Sequence, residues 1–448
     1  MNHTLYCGIE DEVFFLRNSF SDKFKKRKAR TIPLSDIIQK VNNNIKTPKG
    51  GVTSFWNEFG GLVYAESGAT EVTTPLIEQR RGCVSDLLHS TLAQRSVLIQ
   101  MKDEFEKHTP VSIQGYSSHY NITVDSDLLG NDLNSINKHP QAGSVDDYWP
   151  KFTTDIIETM IKTVGPAYFA LLEDDVSSGF MYRVRKRNRF ELCGDFMPDC
   201  PQLGSGLAFL LGSLRGIERK IKEKIVENSQ ESDLLSVYDK VSPEEILSSF
   251  PLVLDEVSYR RITSKEGLGS DRSFIKKMKH NGTKARLSTT TGMIVTPLEI
   301  LQEYFEMFKE DISFYAGGGE ADFLQLIGQG EIKLHIDTPG HVDFYKDVSR
   351  DYIKEHFGKT DDEFLEEHVP QRGVAEVVSS FVRQESQIFG DIKVRAKRFT
   401  WDEYDFDITT EDRIKKVTVP VDSVYQFYSL LSDNRIEQAL SLCGEKNE

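Results

Sequence analysis

Four carboxylates carry the first chemical signal in this chain: Glu10 and Glu12 in "LYCGIEDEVFFL", and Glu66 and Glu71 in "YAESGATEVTTP". The first stretch has strand composition, and side chains alternate faces along a strand, so Glu10 and Glu12 point the same way. Carboxylates on one face must stand in water, opposite cations or around a metal ion, because burying them unpaired forces protonation. Hard cations such as magnesium take oxygen ligands, keep several waters and bridge nucleotide phosphates, so a few carboxylates on adjacent strands suffice. A solvated edge strand would carry the same pattern. Glu66 and Glu71 have an odd spacing, but Gly68 permits a bend that brings them to one side.

Two more stretches add to the pattern. "GYSSHYNITV" reads as strand and sets Ser117, His119 and Asn121 on one face. "YRVRKRNRFE", read as one strand, does the same for Arg183, Arg185, Arg187, Arg189 and Glu191. Arginines in such a row repel one another unless they meet anions, and guanidinium groups fork onto phosphate oxygens. The alternative is a solvent-exposed basic face, and at least one of these arginines is expected to be structural. Asp337 and His341 in "HIDTPGH" are weaker candidates, since a lone histidine is more often structural.

These residues need elements to hold them. Residues 80–107 show the spacing of an amphipathic helix. "DYWPKFTTDIIETMIKTVGPAYFALL" predicts helix on either side of Pro166. Leu203, Leu207, Leu210, Leu214 and Ile217 form one helical stripe, with Gly204, Gly206 and Gly212 allowing close packing against a sheet. Residues 218–312 read as mostly helical, with Thr296 as N-cap and Pro297 at the first helical position of one helix. From residue 369 a small appendage follows: one helix, then "KVRAKRFTWDEYDFDI" and "RIKKVTVPV" as two strands. The expected division is 1–368 for the main body and 369–448 for the C-terminal domain.

At 448 residues the chain is long enough for a deep site, and 28% charged residues with 38% hydrophobic ones is an ordinary globular balance. The net charge of -15 argues against general nucleic-acid binding. No secretory signal pattern opens the sequence and no apolar run approaches a membrane span, so a cytoplasmic protein is expected. The five cysteines are scattered without CxxC pairs, which favours reduced thiols over disulfides or a zinc cluster. The basic run "KFKKRKAR" (23–30) reads as a solvated loop or helix face.

"GIEDE", "YAESGATEVTTP", "GYSSHYNITV", "NRFELCGDFMPD", "TPLEILQEYFE", "HIDTPGH" and "RG…VRAKRFTWDEYDF" occur in the order seen in the Pup ligase and Pup deamidase (depupylase) family. The chain thus resembles a diverged member of that family of glutamine synthetase-like carboxylate-amine ligases, over nearly its whole length. The resemblance implies an α+β fold: a glutamine synthetase-like antiparallel sheet cradle for ATP and magnesium, flanked by helices, with a small C-terminal α/β domain. It implies Glu10, Glu12, Glu71 and His119 as metal ligands and Glu66 as catalytic base. Arg189 joins Glu66 as a catalytic residue, with Tyr64, His119, Asn121, Arg183, Arg185 and Arg187 as nucleotide contacts. Gly194 and Asp195 resemble the turn after the phosphate-side strand.

The activity so implied joins a glutamate carboxylate to an amine. A substrate carboxylate attacks the γ-phosphate of ATP, and the amine displaces phosphate from the resulting acyl phosphate. The expected partners are a small protein or peptide tag bearing a C-terminal or side-chain glutamate and an acceptor amine such as a protein lysine, with no nucleic acid and no membrane. Two alternatives share the fold: a deamidase or deconjugating hydrolase, and a catalytically weak nucleotide-binding regulatory protein. The chain also departs from the family: Glu66 stands in place of an aspartate, Tyr120 in place of the middle glutamate of H-E-N, and "ELCGDFMPDCPQL" is closer to glutamine synthetase. The short interval from Glu12 to Tyr64 fits the ligases, and the five-residue step from Glu66 to Glu71 fits the deamidases.

Overall fold

The computed structural model describes residues 5–17, 30–41, 54–66, 68–124, 151–172, 180–185, 189–197, 200–228, 242–264, 285–317, 351, 353–355, 357–367, 370, 372–384, 386–411 and 413–445. Arg187, Asp337, His341 and residues 23–29 of the basic run lie outside them. Strand β1 (Tyr6–Arg17) is followed by β2 (Leu62–Glu66), β3 (Ala69–Thr73), helix α1 (Cys83–Glu106) and β4 (Val111–Thr123). Helix α2 (Lys151–Thr163) precedes Pro166 and α3 (Gly165–Leu172) carries it in its first turn, so helix lies on either side of it as expected. Then come β5 (Phe180–Arg185), β6 (Arg189–Asp195), α4 (Cys200–Asn228), α5 (Pro297–Met307) and α6 (Lys309–Ala316). The C-terminal part supplies α7 (Gly373–Arg383), β7 (Ser386–Phe389), β8 (Ile392–Phe399), β9 (Glu403–Thr409), β10 (Ile414–Pro420) and α8 (Val421–Ser432). The content is a mix of helices and mainly antiparallel sheet; one exception is Thr263–Ser264, which runs parallel to β5.

The chain divides into two compact units. The first comprises Tyr6–Glu78, His89–Tyr116 and His341–Glu448. In it β1 pairs with β3 and β3 with β2, all antiparallel. One face of these strands is buried through Asp11, Val13, Val63, Thr70 and Val72. Against it lies Arg95 of α1, whose Nε donates to Asp11 Oδ2 at 2.8 Å, with both groups buried. The same unit holds an antiparallel sheet in the order β7-β8-β9-β10, closed by Gly444–Glu445. Its strands alternate buried Val394, Tyr404, Phe406, Ile408, Val417 and Val419 with exposed or half-buried charges. The apolar stripes of α7 (Val374, Val377, Val378, Phe381) and α8 (Val424, Phe427, Leu431) complete that core. "KVRAKRFTWDEYDFDI" is therefore the hairpin β8–β9 rather than one strand. Thr400 makes the turn: its amide donates to the Glu403 carbonyl at 3.1 Å, and its hydroxyl bonds that same carbonyl at 2.8 Å.

The second unit comprises Met1–Leu5, Gln79–Leu88 and Ser117–Gly340. Here the later half of β4 pairs with β6, and β6 with β5. "YRVRKRNRFE" is thus also a hairpin rather than one strand. Its register sets Arg183 opposite Glu191 and Arg185 opposite Arg189, which keeps these positions on one face. The stripe predicted on α4 is buried, but its glycines meet a helix, not a sheet: a Cβ on Gly212 would lie 2.5 Å from the Cα of Ile312 in α6. A Cβ on Gly216 would lie 2.1 Å from the Phe308 ring. Thr296 caps α5 through a full capping box with Glu299, and Pro297 fills the first turn. Between residues 218 and 312 a short hairpin, Leu287–Ser288 with Ile294–Val295, interrupts the helices. Among the described residues no helix is long and apolar enough to cross a membrane.

Removing one partner of the buried Arg95–Asp11 pair takes away a charge-assisted hydrogen bond at a site closed to water. Arg95→Met is expected to cost about 3–5 kcal/mol in urea unfolding, and adding Asp11→Leu is expected to recover most of it. A single variant as stable as the wild type would show that the pair is not held together in solution.

Candidate functional site

The turn between β2 and β3 settles how Glu66 and Glu71 relate. Gly68 adopts φ +93°, a left-handed backbone that a side chain would strain. The pairing that follows is Glu66 with Ala69 and Tyr64 with Glu71. Directly paired residues share a face, and so do residues two apart, so Tyr64, Glu66 and Glu71 lie on one side. On the other edge of β3, Glu71 pairs with Glu12 and Thr73 with Glu10. Tyr64, Glu71 and Glu12 therefore form a row across three strands, with Glu10 on the same-face rung to one side of it, on β1, and Glu66 on the same-face rung to the other side, on β2.

Exposure is graded along this face. Glu71 is only 2% exposed, Glu10, Glu12 and Tyr64 are half-buried, and Glu66 is exposed. Burial, with the negative charge of Glu12 and Glu10 beside it, pushes the Glu71 carboxyl up to about 8, although the Tyr64 hydroxyl donates to it and pulls the other way. Burial also raises the Tyr64 phenol, and Glu10, Glu71 and Glu66 raise it further. An all-oxygen set with this excess of negative charge fits a hard divalent cation, whose charge would do what a proton on Glu71 does in its absence.

The remaining site candidates gather in the second unit. His119 pairs with Cys193 and Asn121 with Glu191. His119 Nδ1 lies 3.4 Å from Glu191 Oε1, and the Cys193 thiol donates to the same oxygen at 3.3 Å. Arg189 Nη1 donates to Asn121 Oδ1 at 2.8 Å. That leaves the Asn121 amide nitrogen buried and without an acceptor among the described residues. Arg183 and Arg185 are placed by backbone register alone. Tyr120 falls on the opposite face from its neighbours and packs edge-on against Tyr168 of α3, with ring centroids 5.9 Å apart. At this position the side chain serves the core.

Glu191 and Cys193 were not recognised from sequence as partners of His119. Their alternation with Arg189 was visible, but the pairing of β6 with β4 was not.

No family profile and no curated protein matches this sequence. Among solved structures the chain is similar to the Pup ligase PafA, solved in complex with the prokaryotic ubiquitin-like protein Pup. Identity is 13% over 98% of this chain and 94% of that one, with a TM-score of 0.47. It is also similar to a bifunctional glutathione synthetase from Pasteurella multocida, at 10% identity and a TM-score of 0.30, over 93% of this chain and 59% of the synthetase. At those scores neither likeness carries weight for what this chain does, and the functional reading rests on its own residues.

The raised Glu71 acidity has a pH consequence. Below its ordinary value near 4.5 both folded and unfolded chains hold the proton, and between there and about 8 only the folded chain does. Stability is therefore expected to fall as pH rises through that window in metal-free protein. Glu71→Gln is expected to flatten the profile in thermal unfolding scans; an unchanged slope in the variant would refute the assignment.

Proposed function

We propose that this chain is an ATP- and magnesium-dependent carboxylate-amine ligase that forms an amide or isopeptide bond through an acyl phosphate, acting in the cytoplasm. The observation that carries this reading is the row of Glu12 and Glu71 with Glu10 beside them, whose shared negative charge calls for a cation. Magnesium, when bound, supplies the positive charge that offsets repulsion between a substrate carboxylate and the phosphates of ATP. Glu10, Glu12 and Glu71 would hold it, and Tyr64 would orient Glu71 through its hydrogen bond.

Arg189 and the hairpin positions 183 and 185 would bind phosphate oxygens, and the buried Asn121 amide has a donor for such an acceptor. Glu66, exposed at the end of β2, would be within reach of a large substrate. It would take the proton from an incoming ammonium so that the free amine can attack. The carboxylate donor would be a small protein or peptide tag carrying a glutamate, and the acceptor a protein lysine or a small amine. Residues 1–368 would form the catalytic body and 369–448 an appended domain.

The test uses labelled ATP, magnesium and glutamate-ended peptides with an amine acceptor. Wild-type protein is expected to form ADP and amide in equal amounts. Glu66→Gln is expected to lower amide formation at least a hundredfold while magnesium-ATP binding, followed by calorimetry, persists. Release of ammonia from a glutamine-ended peptide without any amide formation would replace the ligase with a deamidase. No turnover of either substrate would leave a nucleotide-binding protein.

A further inference from the structure

The face of β1 that carries Glu10 and Glu12 continues past them. Alternation puts Phe14 on the same side, where it is half-buried. In the sheet β1 lies between β4 and β3. From β4, Tyr116 leans onto Phe14, with ring centroids 5.1 Å apart and the planes tilted by 57°, yet the tyrosine stays 53% exposed. The two rings therefore present an open aromatic surface beside the acidic row.

Register ties that surface to Glu66. Val13 pairs with Thr70, so one antiparallel step further sets Phe14 opposite Ala69, and Ala69 pairs with Glu66. All of these residues belong to the first unit. Phe14, Ala69 and Glu66 form the rung next to Glu12, Glu71 and Tyr64. Ala69 raises only a methyl group between the ring and the carboxylate, which leaves a trough with an aromatic wall, a low floor and an acidic end. Two strand steps separate the backbones of Phe14 and Glu66, about 10 Å, which is room for a long side chain laid across Ala69.

We propose that this trough seats the acceptor amine, an inference that rests on the ligase reading for its occupant. The chemical class is a primary alkyl ammonium such as a lysine side chain, with its methylene stem against Phe14 and Tyr116 and its nitrogen toward Glu66. A lysine stem covers apolar surface while its charged head stays polar, and ring faces attract the ammonium as carboxylates do. The tilt of the rings favours this occupant over a nucleobase. Inclined faces fit around a rod-like stem, whereas a planar base stacks on parallel ones. Glu12 and Glu66 also favour a cation over a neutral base. Glu66 then takes one proton from Nζ, and the electron pair of the broken N–H bond stays on nitrogen for the attack.

The probe is Nα-acetyl-lysine methylamide, titrated into the full chain without ATP and followed through the NMR signals of carbon-13-labelled phenylalanine and tyrosine rings. Saturable shifts of Phe14 and Tyr116 are expected. The norleucine analogue keeps the stem and lacks the ammonium, and is expected to bind about tenfold more weakly. Tyr116→Ala is expected to weaken binding of the lysine probe about fivefold, and Tyr116→Phe to restore it. In turnover Tyr116→Ala is expected to raise the acceptor KM by a similar factor with a smaller change in kcat, a split that loss of folded protein does not produce. Equal binding of the norleucine analogue, or no ring shift with the lysine probe, would overturn the assignment. Shifts with adenosine in place of the lysine probe would make the rings a nucleobase shelf instead. Ring shifts without any amide formation would sink the ligase reading and keep an ammonium-binding trough, and amide formation with unshifted rings would do the reverse.

Discussion

Negative charge on two faces of one strand is the constraint around which the first unit is organised. Glu10, Asp11 and Glu12 are consecutive, so alternation sends Asp11 one way and the two glutamates the other. The buried face answers its charge with Arg95, a fixed ion pair sealed beneath the sheet. The other face gains Glu71 from β3, and the shift of Glu71 toward its protonated form is the physical sign that its charge lacks a fixed counterpart of that kind. One sheet thus has a permanent solution on one side and an exchangeable one on the other. A one-residue slip between β2 and β3 would turn Tyr64 and Glu66 to the buried side, so the turn at Gly68 is as necessary to this face as the acids themselves.

How much of this was legible depended on whether the signal was local. Strand alternation alone placed Glu10 with Glu12, and His119 with Asn121, because period two needs no partner strand. Gly68 made the side shared by Glu66 and Glu71 readable, since a left-handed turn residue between two strand-like runs announces a hairpin. The arginine stretch was misread as one strand because Asn188 is the single turn-forming residue type between Arg183 and Arg189. Antiparallel pairing nevertheless returns Arg183, Arg185, Arg189 and Glu191 to a common face. The break at Thr400 was equally silent, because the turn is made by a threonine hydroxyl and not by glycine or proline.

Packing partners were the least legible feature. Gly212 and Gly216 announce that something approaches α4 closely, but a missing Cβ does not say whether the neighbour is a sheet or the helix α6. Arg95 gave no sign at all: in sequence it is one cation on an amphipathic helix, and only the fold buries it against Asp11. Tyr120 shows the reverse case. It sits between His119 and Asn121, and strand alternation turns it to the other face, where it becomes a core aromatic packed on Tyr168.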